Sequence, residues 1–457
     1  MDKPYDLVVR GGLLHDGTGA EPRQADVAVK DGVIAAVGEV AGSGAEEIDA
    51  RGQVVAPGFV DIHTHYDGQA TWDERMQPSS WHGVTTVVMG NCGVGFAPCR
   101  PDDHDRLVRL MEGVEDIPFP VLSEGLPWNW ESYPEYLDKL AERRFDVDIG
   151  SQLPHAALRV YVMGQRGVDR EPATERDIAT MAALAKEAMQ AGAIGFGTSR
   201  TLNHRSSDGS PIATLTAGED ELTGIALGMA AAGRGVLQFV SDFVDEDAEF
   251  AMLRRVVERS GRPMSFSLVQ SPARPFNYQS LLAHVEDANA AGCAIRAQVP
   301  ARAVGVLLGL ELTVNPFTHY GAYKEIAGKP LAERVKALSD PDFRARLFAS
   351  RPETGVRGAG GAFVRMYLMG AQPDYEPTES DSVAAIAAAR DVSAEEVALD
   401  HMLSNGGRGM IYVPFLNYAS GNLDPAYAMM NHKDAIPGLS DGGAHVGMIC
   451  DGSFPTT

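Results

Sequence analysis

From residue 55 onward, short apolar runs alternate with stretches of helical periodicity, and few folds accept that rhythm. The first run, residues 55–67 (VAPGFVDIHTHYD), opens on a Pro57-Gly58 kink and ends in two histidines. Residues 83–90 (GVTTVVMG) form a continuous β-branched run suited to a strand buried on both faces. Residues 147–154, 193–199 (AIGFGTS), 235–243, 263–270 and 294–300 repeat the pattern, and residues 435–445 (AIPGLSDGGAH) supply an eighth run. Between the third and fourth runs, Thr174 with Asp177 resembles a capping box, Ile178, Met181, Leu184, Ala185, Ala188 and Met189 form an apolar stripe, and Gly192 stops the helix. Eight strands, most reached through a helix, predict an α/β fold, a (β/α)₈ TIM-type barrel. An open doubly wound sheet would want a Gly-rich phosphate turn after its first strand, and none is there.

Residues 5–54 read differently. Asp6-Leu7-Val8-Val9-Arg10 ends in Gly11-Gly12, and two later apolar runs meet at Asp31-Gly32, a strong hairpin signal. Residues 1–54 are therefore predicted as a small β-sandwich segment and residues 55–457 as the barrel. Two connections are long. Residues 93–146 carry Trp128 and Trp130, read as lid packing, and the insertion at 301–434 contains helices of its own, one capped by Ser393 with Glu396.

With 457 residues and 44% hydrophobic content the chain can bury a large core. A formal charge of −23 argues against nucleic acid and anionic membranes, which need basic patches. The apolar stretches are too short or too interrupted to span a bilayer, and Met1-Asp2-Lys3-Pro4 does not begin a signal peptide. Cys92, Cys99, Cys293 and Cys450 show neither a disulfide framework nor zinc-knuckle spacing. A cytoplasmic enzyme with a small-molecule substrate is expected, and self-association stays open.

On a strand, side chains two apart point the same way, so His63 and His65 project together and can share one metal ion. Two satisfied polar histidines are the plain alternative. Cys92, in Gly90-Asn91-Cys92-Gly93, lies past the second run, next to the first in a barrel, and a thiolate is a strong zinc ligand; a small buried hydrophobe is its bland reading. Asp441, in Ser440-Asp441-Gly442-Gly443, ends the eighth run, which pairs with the first in a closed barrel. It can ligate a metal and take a proton from water, although a turn aspartate before Gly-Gly is common.

Together His63-Thr64-His65, Gly90-Asn91-Cys92-Gly93 and Ser440-Asp441-Gly442 resemble the amidohydrolase superfamily, and more closely its D-aminoacylase (N-acyl-D-amino-acid deacylase) branch. The opening residues 6–12 and the turn His15-Asp16-Gly17-Thr18-Gly19 resemble that family's N-terminal sandwich. The resemblance implies a divalent metal, zinc first, held by His63, His65, Cys92 and Asp441, and hydrolysis of an N-acyl amino acid. Three departures qualify it. The fifth run, Val236-Leu237-Gln238-Phe239-Val240-Ser241-Asp242, has no histidine. The sixth places Leu268 at the family's second missing histidine and Gln270 at the lysine that meets a substrate carboxylate. Family members also continue past the strand-eight aspartate to complete the sandwich, so its C-terminal part is expected to be absent from this chain.

Asp242, ahead of Gln238, is the expected replacement ligand, since an anion suits a divalent cation. His155 and His204, just after the third and fourth runs, and His445, shortly after Asp441, are further candidates for metal or substrate, and His319 could reach down from the insertion. Arg200, Arg205 and Arg365 are candidate partners for a substrate carboxylate. Two alternatives to deacylation stay open: hydrolysis of another amide, carbamate, ester or ring by a mononuclear centre, and a degenerate barrel kept as a binding subunit.

Overall fold

The computed structural model describes residues 4–352, 363–448 and 452–457; Cys450 lies outside them. The chain divides into two compact units, Met1–Phe59 and Val60–Thr457.

In the first unit, strands Tyr5–Leu14, Arg23–Lys30, Val33–Gly38, Gly44–Asp49 and Val54–Val55 make one five-stranded sheet. Asp31 and Gly32 both take positive φ, 52° and 74°, as a two-residue hairpin of matching twist requires. Tyr5–Leu14 is central, antiparallel to Arg23–Lys30 and parallel to Gly44–Asp49. Leu14, Ala25 and Val27 form a small core on it.

The second unit is built on eight strands: β1 Phe59–Asp61, whose first residue lies at the unit boundary, β2 Val84–Met89, β3 Asp148–Pro154, β4 Gly195–Arg200, β5 Val236–Ser241, β6 Met264–Ser267, β7 Ile295–Val299 and β8 Ala435–Pro437. Spatial order follows chain order, and the pairs from β2–β3 through β7–β8 are parallel. A parallel bridge between Thr64 and Gly442 joins the two ends of this curled sheet. All eight predicted runs contain a strand, but the first is only Phe59–Asp61, so His63 and His65 lie past its end, about an isolated bridge at Thr64. The last is cut short, because Leu439, Asp441 and His445 take φ of 71°, 55° and 54°, which no strand tolerates. The helix Glu175–Ala191 starts at the predicted Thr174–Asp177 capping box and buries Met181, Ala185, Ala188 and Met189.

The insertion is more than a loop. Strands Val304–Leu308, Tyr367–Leu368 and Ile411–Leu416 form a separate antiparallel sheet. Phe317, Tyr320, Tyr323, Leu338, Leu347 and Met402 belong to its own apolar core. Tyr320 and Tyr323, flanking the suggested His319 lid, are core residues here. Ser393 and Glu396 form the predicted capping box. Trp130 packs inside and donates its indole N–H to the Phe96 carbonyl at 2.8 Å, while Trp128 stacks on His104. Among the described residues no helix is long and apolar enough to cross a membrane.

Candidate metal centre

The site begins with the hydrogen bonds that join β1 to the turn after β8. His65 N–H donates to the Gly442 carbonyl at 2.8 Å, and Asp441 N–H donates to the His63 carbonyl at 3.1 Å. Asp61, at the end of β1, accepts from Ser440 Oγ and from His63 N–H, so one buried carboxylate ties both motifs. Thr64 N–H reaches the Val88 carbonyl of β2 at 2.9 Å. The residues 63–65, the end of β2 and residues 440–442 are thus laced together by backbone.

Beyond β2 the chain turns sharply. Gly90 has φ +84°, and a Cβ there would lie 2.1 Å from the Gln152 carbonyl oxygen. Cys92 also takes positive φ, 54°, a conformation sparsely used by non-glycine residues and typical of constrained sites. Its N–H is held by Gln238 Oε1 at 3.2 Å. Gly90→Ala combines backbone strain with a clash against backbone that cannot yield. It should cost about 3 kcal/mol or more, read as a lowered thermal midpoint with loss of metal uptake.

His63, His65 and Cys92 offer ligand atoms within 4.8 Å of one another, and all three are buried. Cys92 Sγ is 3.3 Å from His63 Nε2 and 3.9 Å from His65 Nε2. Asp441 Oδ1 lies 3.5 Å from His63 Nε2 and 3.4 Å from His65 Nε2. The tautomer of His63 follows from its neighbours. Gln298 donates its amide to Ser265 Oγ, so Gln298 Oε1 accepts from His63 Nδ1–H at 3.0 Å, which leaves the Nε2 lone pair facing the cluster. Burial lowers His63 to about 4 and lowers His65 too, so both rings are neutral, the form that ligates.

One residue was not anticipated. Helix α1, His104–Glu115, places Glu115 Oε2 3.4 Å from His65 Nε2 and 3.8 Å from His445 Nε2. Its signal was in the sequence: Leu107, Met111 and Glu115 are four apart, so a carboxylate continues an apolar helical stripe. Burial, and then the charges of Asp441 and Asp67, push the Glu115 carboxyl well above its usual range. Burial, and then Glu115, Asp441 and Asp67, likewise push the Cys92 thiol up. Burial alone would raise Asp441, but the His65 hydrogen bond and the closeness of the His63, His65 and His445 imidazoles leave it well below the usual range. Among the described residues neither Glu115 nor Asp441 pairs with a lysine or arginine. His65 Nδ1, Glu115 Oε1 and Gln238 Nε2 are buried without a hydrogen-bond partner. Neutral imidazoles, a thiol and carboxylates lacking a counter-charge fit a divalent cation.

The other candidates divide. His445 Nε2 is 3.8 Å from Asp441 Oδ2. His204 receives a hydrogen bond at Nδ1 from, or gives one to, Ser199 Oγ at 2.8 Å. Burial and then the closeness of His65 lower it to about 3, with His445 and His63 adding and Asp441 opposing. Asp242 is placed otherwise than expected: one carboxylate oxygen accepts from Thr201 Oγ1 and the other from Leu202 N–H at 2.8 Å, so it staples the loop after β4. Gln238, the second choice on β5, is the one beside Cys92. His155 is also corrected: its ring nitrogens are taken by Thr198 Oγ1 at 2.7 Å and Glu221 Oε1 at 3.0 Å, in a buried network with Arg159. Leu268 is a buried apolar side chain. Gln270 accepts from Ala419 N–H at 3.0 Å and donates to Ser420 Oγ at 2.9 Å, fastening the insertion to the end of β6. Arg200 pairs with Glu249, while Arg205 and Arg365 donate to backbone carbonyls.

A family model described as the amidohydrolase family matches residues 46–457. A D-aminoacylase of Alcaligenes xylosoxydans xylosoxydans is 38% identical over 197 residues, 43% of this chain and 38% of the relative. The matched segment thus spans well under half of that relative's length. A solved D-aminoacylase structure, described as having a binuclear metal centre, superposes with a TM-score of 0.60 at 24% identity, covering 96% of this chain and 76% of that one. An N-acyl-D-glutamate deacylase from Bordetella bronchiseptica, complexed with zinc and a phosphonate inhibitor, gives a TM-score of 0.59 at 22% identity, with 96% and 76% covered. At those identities the structures speak for the fold, an amidohydrolase barrel with an N-terminal sheet. On the family match over most of its length, the chain belongs to the amidohydrolase family.

Proposed function

We propose that this chain is a metal-dependent hydrolase that cleaves the amide C–N bond of an N-acyl amino acid. The observation that carries the reading is the buried cluster of His63, His65 and Cys92 with the Asp441 carboxylate against both imidazoles. His63, His65, Cys92 and Asp441 Oδ1 would hold the ion, for which zinc is the first choice by analogy with the Bordetella deacylase. A divalent ion held there would supply Lewis acidity toward the scissile carbonyl and toward water. Asp441 Oδ2, turned toward His445, accepts the proton of the attacking water and returns it to the leaving nitrogen. Gln298 holds the His63 tautomer, and Asp61 holds both motifs in register. His204 and His445 are assigned to the substrate, residues 55–457 to the catalytic part and residues 1–54 to an accessory sheet. A cytoplasmic setting suits the free thiols of Cys92, Cys99 and Cys293.

A second reading rests on Gln270. Both ends of its amide are used internally, and no ammonium stands where the resemblance implies a carboxylate contact. Substrates without an α-carboxylate (simple amides, carbamates, esters or rings) are favoured by that arrangement. Zinc-loaded protein assayed on N-acetyl D- and L-amino acids beside uncharged amides separates the two. Turnover confined to uncharged substrates would overturn deacylation. A chain that binds no metal and stays inert would overturn both and leave the binding subunit.

A further inference from the structure

Glu115 has no part in the ligand set drawn from the motifs, yet its position asks for a cation. It is 2% exposed, and among the described residues Oε1 has no hydrogen-bond partner and Oε2 is paired with the imidazoles of His65 and His445. A buried carboxylate left without a partner costs several kcal/mol in general, and proteins retain one where something else compensates it. Placement on α1 adds to that cost, because Glu115 is the last residue of the helix, where the dipole opposes a negative charge. The helix end is nonetheless held firmly. Asp116, in the left-handed region at φ 50°, accepts from Gly447 N–H at 3.0 Å and from Thr313 Oγ1 at 3.1 Å, and the Glu115 carbonyl accepts from His445 N–H at 2.5 Å. The segment after Asp441 is therefore buckled onto the end of α1, with the Glu115 side chain turned inward. β5 carries no histidine, and Leu268, just past the end of β6, stands where the resemblance would have one, so two imidazole donors that the resemblance implies are missing.

We propose that Glu115 is a ligand of the cation held by His63, His65 and Cys92, a carboxylate delivered by α1 in place of the imidazoles absent from β5 and β6. This rests on the reading that the cluster binds a divalent ion. The 3.4 Å between Glu115 Oε2 and His65 Nε2 is the spacing of two donors on one ion at bond lengths of about 2.0–2.2 Å. Thiolate and carboxylates around neutral imidazoles then have the counter-charge that no lysine or arginine supplies among the described residues.

The test uses the full chain with cobalt(II) as a spectroscopic probe and zinc in chelator competition. Glu115→Gln keeps the shape and removes the charge. It should weaken zinc at least tenfold and change the cobalt d–d bands, while the thiolate-to-cobalt charge-transfer band from Cys92 persists. Glu115→Asp, shorter by one methylene, should fall between the two, which guards against a Gln variant that merely folds poorly. Wild-type affinity with an unchanged d–d spectrum in Glu115→Gln would overturn the proposal and leave the His63–His65–Cys92 site standing. A wild-type chain that takes up no cobalt would instead overturn the metal reading itself.

Discussion

Replacing Asp441 by Asn should lower amide turnover by about 10²- to 10⁴-fold, the range for loss of a positioned general base. The variant should keep most of its zinc. Asn retains an oxygen toward His63 and His65, and the three ligands drawn from the motifs are held independently of it: His63 by Gln298, His65 by the backbone of Gly442, and Cys92 by Gln238. Metal content and steady-state rate measured on the same preparation check both halves. Activity that survives with metal in place would mean that another group, with Glu115 or His445 nearest, takes the proton.

The largest expected effect on stability lies away from the metal. Arg159, on the helix His155–Met163, is fully buried and pairs with Glu221 on the helix Glu219–Ala231, whose other oxygen meets His155 Nε2 at 3.0 Å. Glu221→Gln leaves the Arg159 charge buried without its anion and should cost about 3–5 kcal/mol, read by urea or thermal unfolding. Arg159→Leu together with Glu221→Leu removes both charges and should recover much of that loss. The pH response has a definite sign. Burial would raise the Glu221 carboxyl, but the His155 and Arg159 interactions outweigh it and leave it lowered. A lowered carboxylate stabilises the fold above its unfolded pKa of about 4.5, and that share is lost as pH falls through the folded value. Acid unfolding of the native chain should therefore steepen below pH about 4.5, and Glu221→Gln should flatten it. An unchanged acid limb in the variant would show that other carboxylates dominate.

What was legible from the chain follows physical lines. The barrel strands are written as continuous β-branched runs, since a parallel sheet covered on both faces needs apolar residues at every position. In residues 84–89 Val84, Val87, Val88 and Met89 are buried, while Thr85 is exposed near the start of the strand. The Thr174–Asp177 and Ser393–Glu396 boxes are local hydrogen bonds and were readable for that reason. Asp242 was misread because proximity to a strand end says nothing of competing partners, and Thr201 with Leu202 claims its carboxylate. His155 was misread in the same way, its ring being committed to Thr198 and Glu221. The insertion's own core was hidden because its apolar residues come from segments far apart in the chain, such as Phe317 and Met402.

The alternation of a strand led the sequence to the pairing of His63 and His65, which the structure brings together just past the strand end at Asp61, and the order of the runs put Cys92 and Asp441 at neighbouring strands. Only the tertiary structure decided which groups share that space. The Thr64–Gly442 bridge brings Asp441 onto both imidazoles, and α1 carries Glu115 to the same point from within the long connection after β2. The physical reason is that ligation depends on distances of a few ångströms between residues separated by tens to hundreds of positions. Local propensity shapes each element, but closure of the barrel and burial of α1 set those distances.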